Sequence, residues 1–361
     1  MDVMNFHGVI QMIFIISMSV THTFLDFIPG VFLGAPESET ALSVLPGHKM
    51  LLQGKAYEAV KLTVIGSLFA LMLSAMLVPF LIPVVSFIYP YIKEYIGFIL
   101  IAIITFMVLK DKNKLWNLIV FLLSGVLGLI VLSMPNLPNP LFPLLSGLFG
   151  LSMLVVSLMD KVNIPEQKIS DTINLPKSEY AQAIGAGTLA GTLTSFFPGL
   201  GPAQGAVLAS QITRKLSEHG FMVLIGGINT VNFVLSLVTL LTLEKARNGA
   251  VIVVSQMLEA FDYRLLILFV GVALVVGGLA TSLALNITKV FSRLIVKVNY
   301  KALVISIIML ITTLAFYFSG WLGLLILFTA TMIGIIPGEL GVSRNHAMGC
   351  LILPVILYFV L

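Results

Sequence analysis

The stretch LIVFLLSGVLGLIVL (residues 118–132) is apolar around its whole circumference. It lacks the alternation of polar and apolar positions that marks a transmembrane β-barrel strand. In hydrocarbon every backbone N–H and C=O must be paired within the segment, and an unbroken run of this kind manages that only as an α-helix. The rest of the chain agrees. Of its 361 residues, 58% are hydrophobic and 10% charged, whereas soluble domains carry about 25% charged residues. Mean hydropathy is +1.08. Apolar runs near the length that crosses roughly 30 Å of hydrocarbon recur throughout. The expected fold is all-α: a polytopic helical protein of the cell membrane with about ten spans.

These runs fall near 6–28, 59–89, 95–109, 115–133, 141–159, 180–197, 220–243, 264–288, 302–318 and 321–336, with an apolar stretch after 347. Pro79 and Pro83 should kink or end the second. The segment 248–261 is too short to span and reads as lateral or re-entrant. The first twenty residues lack a basic n-region and a small-residue cleavage site, and read as a membrane helix. Cys350 is the sole cysteine, so neither an internal disulfide nor a cysteine metal cluster is expected.

Net charge is +4 and the pI about 9.1. The basic residues sit in loops: KDKNK (110–114), Lys161, Lys168 and Lys177, and Lys289 through Lys301. The loops MPNLPNPLFP (134–143) and YFSGWL (317–322) are uncharged. This is the loop bias that orients membrane helices with their basic loops in the cytoplasm, not a nucleic-acid footprint. The polar stretch 161–179 reads as a cytoplasmic linker between membrane repeats at 1–160 and 180–361.

Each half opens on a similar motif. FIPGVFLGAPESETALSVL (27–45) and FFPGLGPAQGAVLASQI (196–212) both run from an apolar helix into Pro-Gly, then a second Gly and Pro, then a helix with small and polar residues. A third Pro-Gly, at 337–338, echoes the first: Pro29 and Pro46 are 17 residues apart, as are Pro337 and Pro354. Broken or re-entrant helices are therefore expected at 29–36 and 198–202. Repeats that pair such breaks are a sequence mark of secondary transporters.

Pro-Gly leaves backbone groups unpaired, which lipid cannot satisfy. Irregular backbone at membrane depth is tolerated only inside protein or beside a watery cavity. The helix restarting after the break presents free N–H groups and a partial positive charge, suited to an anion. The second break is neutral and glycine-rich (Gly199, Gly201, Gly205) and suits an anionic substrate. The first carries Glu37 and Glu39 near Asp26, and suits a cation or a proton. Those acids alternatively cap the restarting helix near the headgroups. Asn229 and Asn232, three apart on one helix face, either line the site or join helices. Ser195, Thr192 and Thr188 precede the second break at helical spacing. Arg344, Asn345 and His346 follow the third Pro-Gly and either pair with Glu339 or bind an anion. His48 and Lys49 read as the cytoplasmic end of the first motif. No GxSxG, HExxH or Walker A sequence is present, so no enzyme, metal centre or organic cofactor is expected.

The motifs FLDFIPGVFLGAPESETALSVLPGHKMLLQGKAYEAVKLTVIGS, GTLTSFFPGLGPAQGA and GGINTVNFVLSLVTL resemble the large membrane subunit of tripartite tricarboxylate transporters, the TctA-like permeases, in their shorter archaeal branch. The resemblance covers most of the chain and is strongest over 21–67 and 185–249. It implies an ion-driven secondary permease for di- or tricarboxylates. Its implied partners are an extracytoplasmic binding protein and a small membrane subunit, with sodium or a proton as coupling ion. It carries the site to Gly30, Gly34, Glu37, Glu39 and Thr40, and to Ser195, Pro198, Gly199, Gly201 and Gln204. The rival reading is a polyprenyl-phosphate translocase, which would open laterally to membrane lipid and use Arg344 and His346 at a headgroup site.

Overall fold

The computed structural model describes residues 6–34, 40–110, 113–135, 137–159, 164–170, 173, 175–196, 201–213, 216–246, 248–258 and 260–360. Among them the regular structure is helical throughout, with no strand. In order it comprises α1 (Phe6–Leu25), α2 (Phe27–Leu33), α3 (Val44–Leu52), α4 (Ala56–Ile92), α5 (Ile96–Lys110), α6 (Lys114–Leu132), α7 (Leu141–Leu145) and α8 (Ser152–Met159). The second half supplies α9 (Lys177–Phe196), α10 (Pro202–Ile212), α11 (Glu218–Leu243), α12 (Gly249–Gln256), α13 (Tyr263–Ile295), α14 (Tyr300–Glu339) and α15 (Gly349–Val360). Seven described helical segments are long and apolar enough to cross a membrane: 8–33, 56–87, 114–132, 141–158, 218–243, 263–295 and 300–339.

Prolines shape these elements in ways the sequence only half suggests. Pro29, Pro46 and Pro202 all fall in the first turn of a helix, where the missing N–H has no intrahelical acceptor to lose. Pro29-Gly30 therefore lies inside α2; the helix is interrupted earlier, at Asp26, and ends at Leu33. Pro79 and Pro83 do not end α4, which continues through both to Ile92. Among its described residues the 248–261 segment holds the eight-residue α12.

The helices pack into two compact units, each drawing on both halves of the sequence. The first comprises Met1–Asp26, Val60–Lys93 and Ile173–Ile287. Its centre is α11, almost wholly buried and flanked by α9, α10, α1 and α12. Glycine makes the contacts close. A Cβ on Gly226 would lie 2.2 Å from the Thr63 carbonyl oxygen of α4, and one on Gly66 would lie 2.0 Å from that of Val223. Ser67 donates across this crossing to the Gly226 carbonyl at 3.1 Å. On α9, Gly187 and Gly191 bring the backbone against Leu224, Ile228 and Val231. Small residues at helix crossings are how membrane helices gain contact when lipid offers no hydrophobic drive.

The second unit comprises Phe27–Ala59, Glu94–Thr172 and Thr288–Leu361. Here α14 folds back on itself at Gly320 (φ 62°, ψ −154°), a conformation open to glycine. A Cβ on Gly323 would meet the Ala315 carbonyl at 2.6 Å, and Ile311, Ala315 and Leu327 share one cluster. The two limbs correspond to the apolar runs 302–318 and 321–336, joined within YFSGWL. Between α7 and α8 the chain takes a π-helical turn, Ser146–Leu151, packed on α14 through Gly147 and Gly334. The 164–170 segment is tied down as well. Gln167 accepts from the Ala56 N–H at 3.0 Å and donates to the Leu51 carbonyl at 3.0 Å, while the Lys168 N–H reaches the Gly54 carbonyl at 2.8 Å. It thus straps the turn between α3 and α4, where Gly54 has φ +77° and a Cβ would lie 2.7 Å from the Glu166 carbonyl.

Candidate functional site

In the first unit, α10 restarts at Pro202 after the second break. Its N-cap is Gly201, in extended conformation. Gln204 reaches back, its Oε1 accepting the Gly201 N–H at 2.9 Å. That bond fixes the entry of the chain into the helix, while the first-turn N–H groups of Ala203 and Gln204 have no acceptor inside the helix. No acidic residue stands in the first turn, so the positive helix end is not internally neutralised. Gly205 lets α10 nest against α9 and α11: a Cβ there would lie 2.7 Å from Thr194 Cγ2.

Beside that nest, α9 and α11 share a buried polar network. Asn232 Oδ1 accepts from Ser195 Oγ at 3.2 Å and from Thr194 Oγ1 at 3.4 Å. Both hydroxyls also reach the Gly191 carbonyl of their own helix. Ser195 is thus anchored rather than swinging free, and Asn232 is oriented with its oxygen committed, leaving the Nδ2 donors as its remaining capacity. Thr192 turns back to the Thr188 carbonyl at 2.7 Å and takes no part. Thr194 carried no sequence signal beyond its place in a hydroxyl-rich run.

One turn earlier on α11, Asn229 Nδ2 donates to Asp26 Oδ2 at 2.6 Å. Asp26 is 4% exposed and Asn229 1%. A buried carboxylate is costly unless hydrogen-bonded, and this short amide bond is part of what holds it. Asn229 Oδ1 is buried without a partner among the described residues. The helix that orients Asn232 at the second break therefore also binds the acid at the first interruption. Asn229 thus ties α11 to the interruption between α1 and α2, and Asn232 ties it to α9.

The second unit holds the remaining described candidates. Gly30 is buried in α2, and Gly34 (φ +64°) ends that helix against Leu154 and Met153 of α8. Thr40 is 1% exposed, and its Oγ1 has no partner among the described residues. Glu37, Glu39, Pro198 and Gly199 lie outside the described residues. His346 is buried at the foot of the 344–348 turn, and Arg344 is partly exposed two residues before it.

At the end of the first motif Lys49 is exposed, whereas His48 is buried in α3. Its Nδ1 faces the Val31 carbonyl at 3.2 Å, and its Nε2 faces Tyr300 Oη at 3.1 Å. A carbonyl only accepts, so Nδ1 carries the proton and Nε2 accepts from the tyrosine hydroxyl. Tyr300 in turn bonds Ser157 of α8. Burial pushes the His48 pKa down to about 4, which keeps the imidazole neutral in this chain of bonds. The first hairpin, α2–α3, is thereby pinned to α8 and to the start of α14.

A family model described as the tripartite tricarboxylate transporter TctA family matches residues 3–349. The chain belongs to the TctA family. It is accordingly a multi-pass membrane protein of a transporter family, and its family normally works with a binding protein and a small membrane subunit. A curated relative, an uncharacterized protein (MJ1079) of Methanocaldococcus jannaschii, is 31% identical over 357 residues, covering 96% of this chain and 88% of the relative. No solved structure matches this TctA protein.

Proposed function

We propose that this TctA protein is a secondary active permease of the cell membrane for an organic anion, a di- or tricarboxylate, driven by a sodium or proton gradient. In this reading about ten crossings, in two repeats, alternate access around two broken helices, as in other repeat-built carriers. An extracytoplasmic binding protein delivers the substrate and a small membrane subunit assists. The substrate carboxylate meets the α10 N-terminus and the donors beside it, around Gly201, Gln204, Ser195 and Asn232. Coupling runs through Asp26.

The observation that carries this reading is the double use of α11. Asn229 bonds the buried carboxylate of Asp26 at 2.6 Å, and Asn232, one turn on, is bonded to Ser195 beside the second break. A cation or proton that reaches Asp26 changes what Asn229 is bonded to, and α11 passes that change to the substrate donors. Linked occupancy of two sites is what couples an ion gradient to uptake.

The test is thermal stability of the purified protein with citrate, succinate or a short polyprenyl phosphate, each with and without sodium and at two pH values. A ligand at 100 times its dissociation constant adds about 2.7 kcal/mol. Stabilisation by a carboxylate, enhanced by sodium or by acid and lost in Ser195→Ala, is the expected result. Stabilisation by the polyprenyl phosphate alone would replace this reading with a lipid-carrier translocase.

A further inference from the structure

A cavity of about 490 Å³ lies in the first unit, between α4 and α13. Met72, Met76 and Pro79 line it from α4, and Ile267, Gly271 and Leu274 from α13. Both sets follow the i, i+4, i+7 spacing, so each is a single stripe of its helix. Both helices are long and apolar enough to cross the membrane, which puts these stripes at hydrocarbon depth. Met76 is 73% exposed and Ile267 72%, so the cavity opens toward lipid instead of being sealed in the core.

Local sequence accounts for the opening. Gly271 contributes no side chain, and its Cβ position has nothing within 4 Å. Pro79 brings no N–H to the Ala75 carbonyl and crowds it with its ring, a local cause for α4 to lean from its neighbour. At one end the helices close. A Cβ on Gly277 would lie 2.4 Å from Leu71 Cδ2 and 3.4 Å from Phe24 Cζ of α1. From that contact the lining residues rise in number along α4 and fall along α13. The helices are therefore antiparallel, and the cavity is a groove running from Gly277 toward the start of α13.

Arg264 stands at the open end of this groove. It lies three residues before Ile267 and seven before Gly271, on the same stripe. Arg264 and the adjacent Tyr263 are exposed. Asp262, the acid nearest in sequence, is turned to the helix start, where its Oδ1 accepts the Leu265 N–H at 2.9 Å. Along the helix axis Leu274 is about 15 Å from Arg264, and Gly277 about 20 Å. The hydrocarbon of one leaflet is about 15 Å deep. The groove thus has the length of a lipid chain in one leaflet and closes where that chain would end. A spanning helix of another polypeptide would need a groove that continues past Gly277.

We propose that this groove binds one anionic phospholipid, with a chain between α4 and α13 and the phosphate on Arg264. The guanidinium offers the phosphate charge and paired N–H donors. Tyr263 sits at headgroup level, as interfacial aromatic residues do. With Lys289 through Lys301 in the cytoplasm, the lipid belongs to the outer leaflet. The site is separate from the α10 donors and does not depend on the permease reading.

The experiment uses the purified full chain in mixed micelles of detergent with phosphatidylglycerol or phosphatidylcholine. Retained lipid is counted by native mass spectrometry, and melting is followed in parallel. The expected result is that the wild type retains one phosphatidylglycerol in preference to phosphatidylcholine and melts higher with it. Arg264→Gln lowers the retained phosphatidylglycerol by about fivefold and erases the preference, and Arg264→Lys keeps part of it. Gly271→Phe, which fills the groove, loses either lipid while staying helical and monodisperse, whereas Gly271→Ala retains it. Should Gly271→Phe fail to insert, Arg264→Gln, at an exposed helix end, still decides. Equal retention of both lipids by the wild type would overturn the proposal, as would unchanged phosphatidylglycerol in Arg264→Gln. A wild-type dimer that Gly271→Phe dissociates would also overturn it and give the groove to a second copy of the chain.

Discussion

At the scale of single residues, buried polar atoms with few alternatives set the expectations. Replacing Asn229 by Leu removes a donor from a buried carboxylate, and should cost about 1–3 kcal/mol of stability, read as a lower melting midpoint of purified protein. Asn229→Asp places a second acid against Asp26, so its melting midpoint should fall as pH rises from 5 to 8, a trend absent from the wild type. His48 makes a pH prediction of its own. Its ordinary pKa of 6.5 falls to about 4 in the folded chain. Between those values the unfolded chain binds more protons than the native one, so stability drops as pH falls through the window. His48→Gln should flatten that part of the melting-versus-pH curve. Retention of the full acid slope in that variant would show that the imidazole is not the titrating group. None of these pairings is written in local sequence: Asp26 and Asn229 are 203 positions apart, and His48 and Tyr300 are 252. Their residue types gave a hint only where a charge or amide interrupted an apolar run.

At the scale of elements, close backbone approach decides what can change. Gly226→Ala would push a methyl into the Thr63 carbonyl, a backbone atom that cannot rotate away, and Gly205→Leu would press on Thr194 and Ile228. Each should destabilise by roughly 1–3 kcal/mol or prevent insertion, whereas Gly271→Ala on α13, with nothing within 4 Å of its Cβ, should be neutral. Melting midpoints of the three variants check this ordering. Element existence was legible because uninterrupted apolar runs have no other stable form in lipid. The restart at Pro202 and the shortness of α12 were legible from Pro, Gly and length. The fate of α4 was not, because a proline's effect depends on whether neighbouring groups re-pair what it frees. Nor was the central place of α11, since its composition resembles that of lipid-exposed helices and only Gly226-Gly227 marks it. The strap at 164–170 was hidden because Gln167 looks like any polar loop residue until its three bonds are seen.

At the scale of the whole molecule, membership of the TctA family and a chain rich in apolar helices make the membrane the working environment. The account's central claim is that an ion gradient moves a carboxylate through this protein by way of Asp26. The measurement that tests it most directly is uptake of radiolabelled citrate into proteoliposomes carrying wild type or Asp26→Asn, with sodium and proton gradients imposed separately. The side chain of asparagine matches the shape of aspartate and keeps a partner for Asn229, so the variant should fold and bind. The account predicts uptake by the wild type that follows one of the two gradients, and gradient-independent, at least tenfold slower uptake by the variant. Equal gradient-driven uptake by both proteins would contradict it.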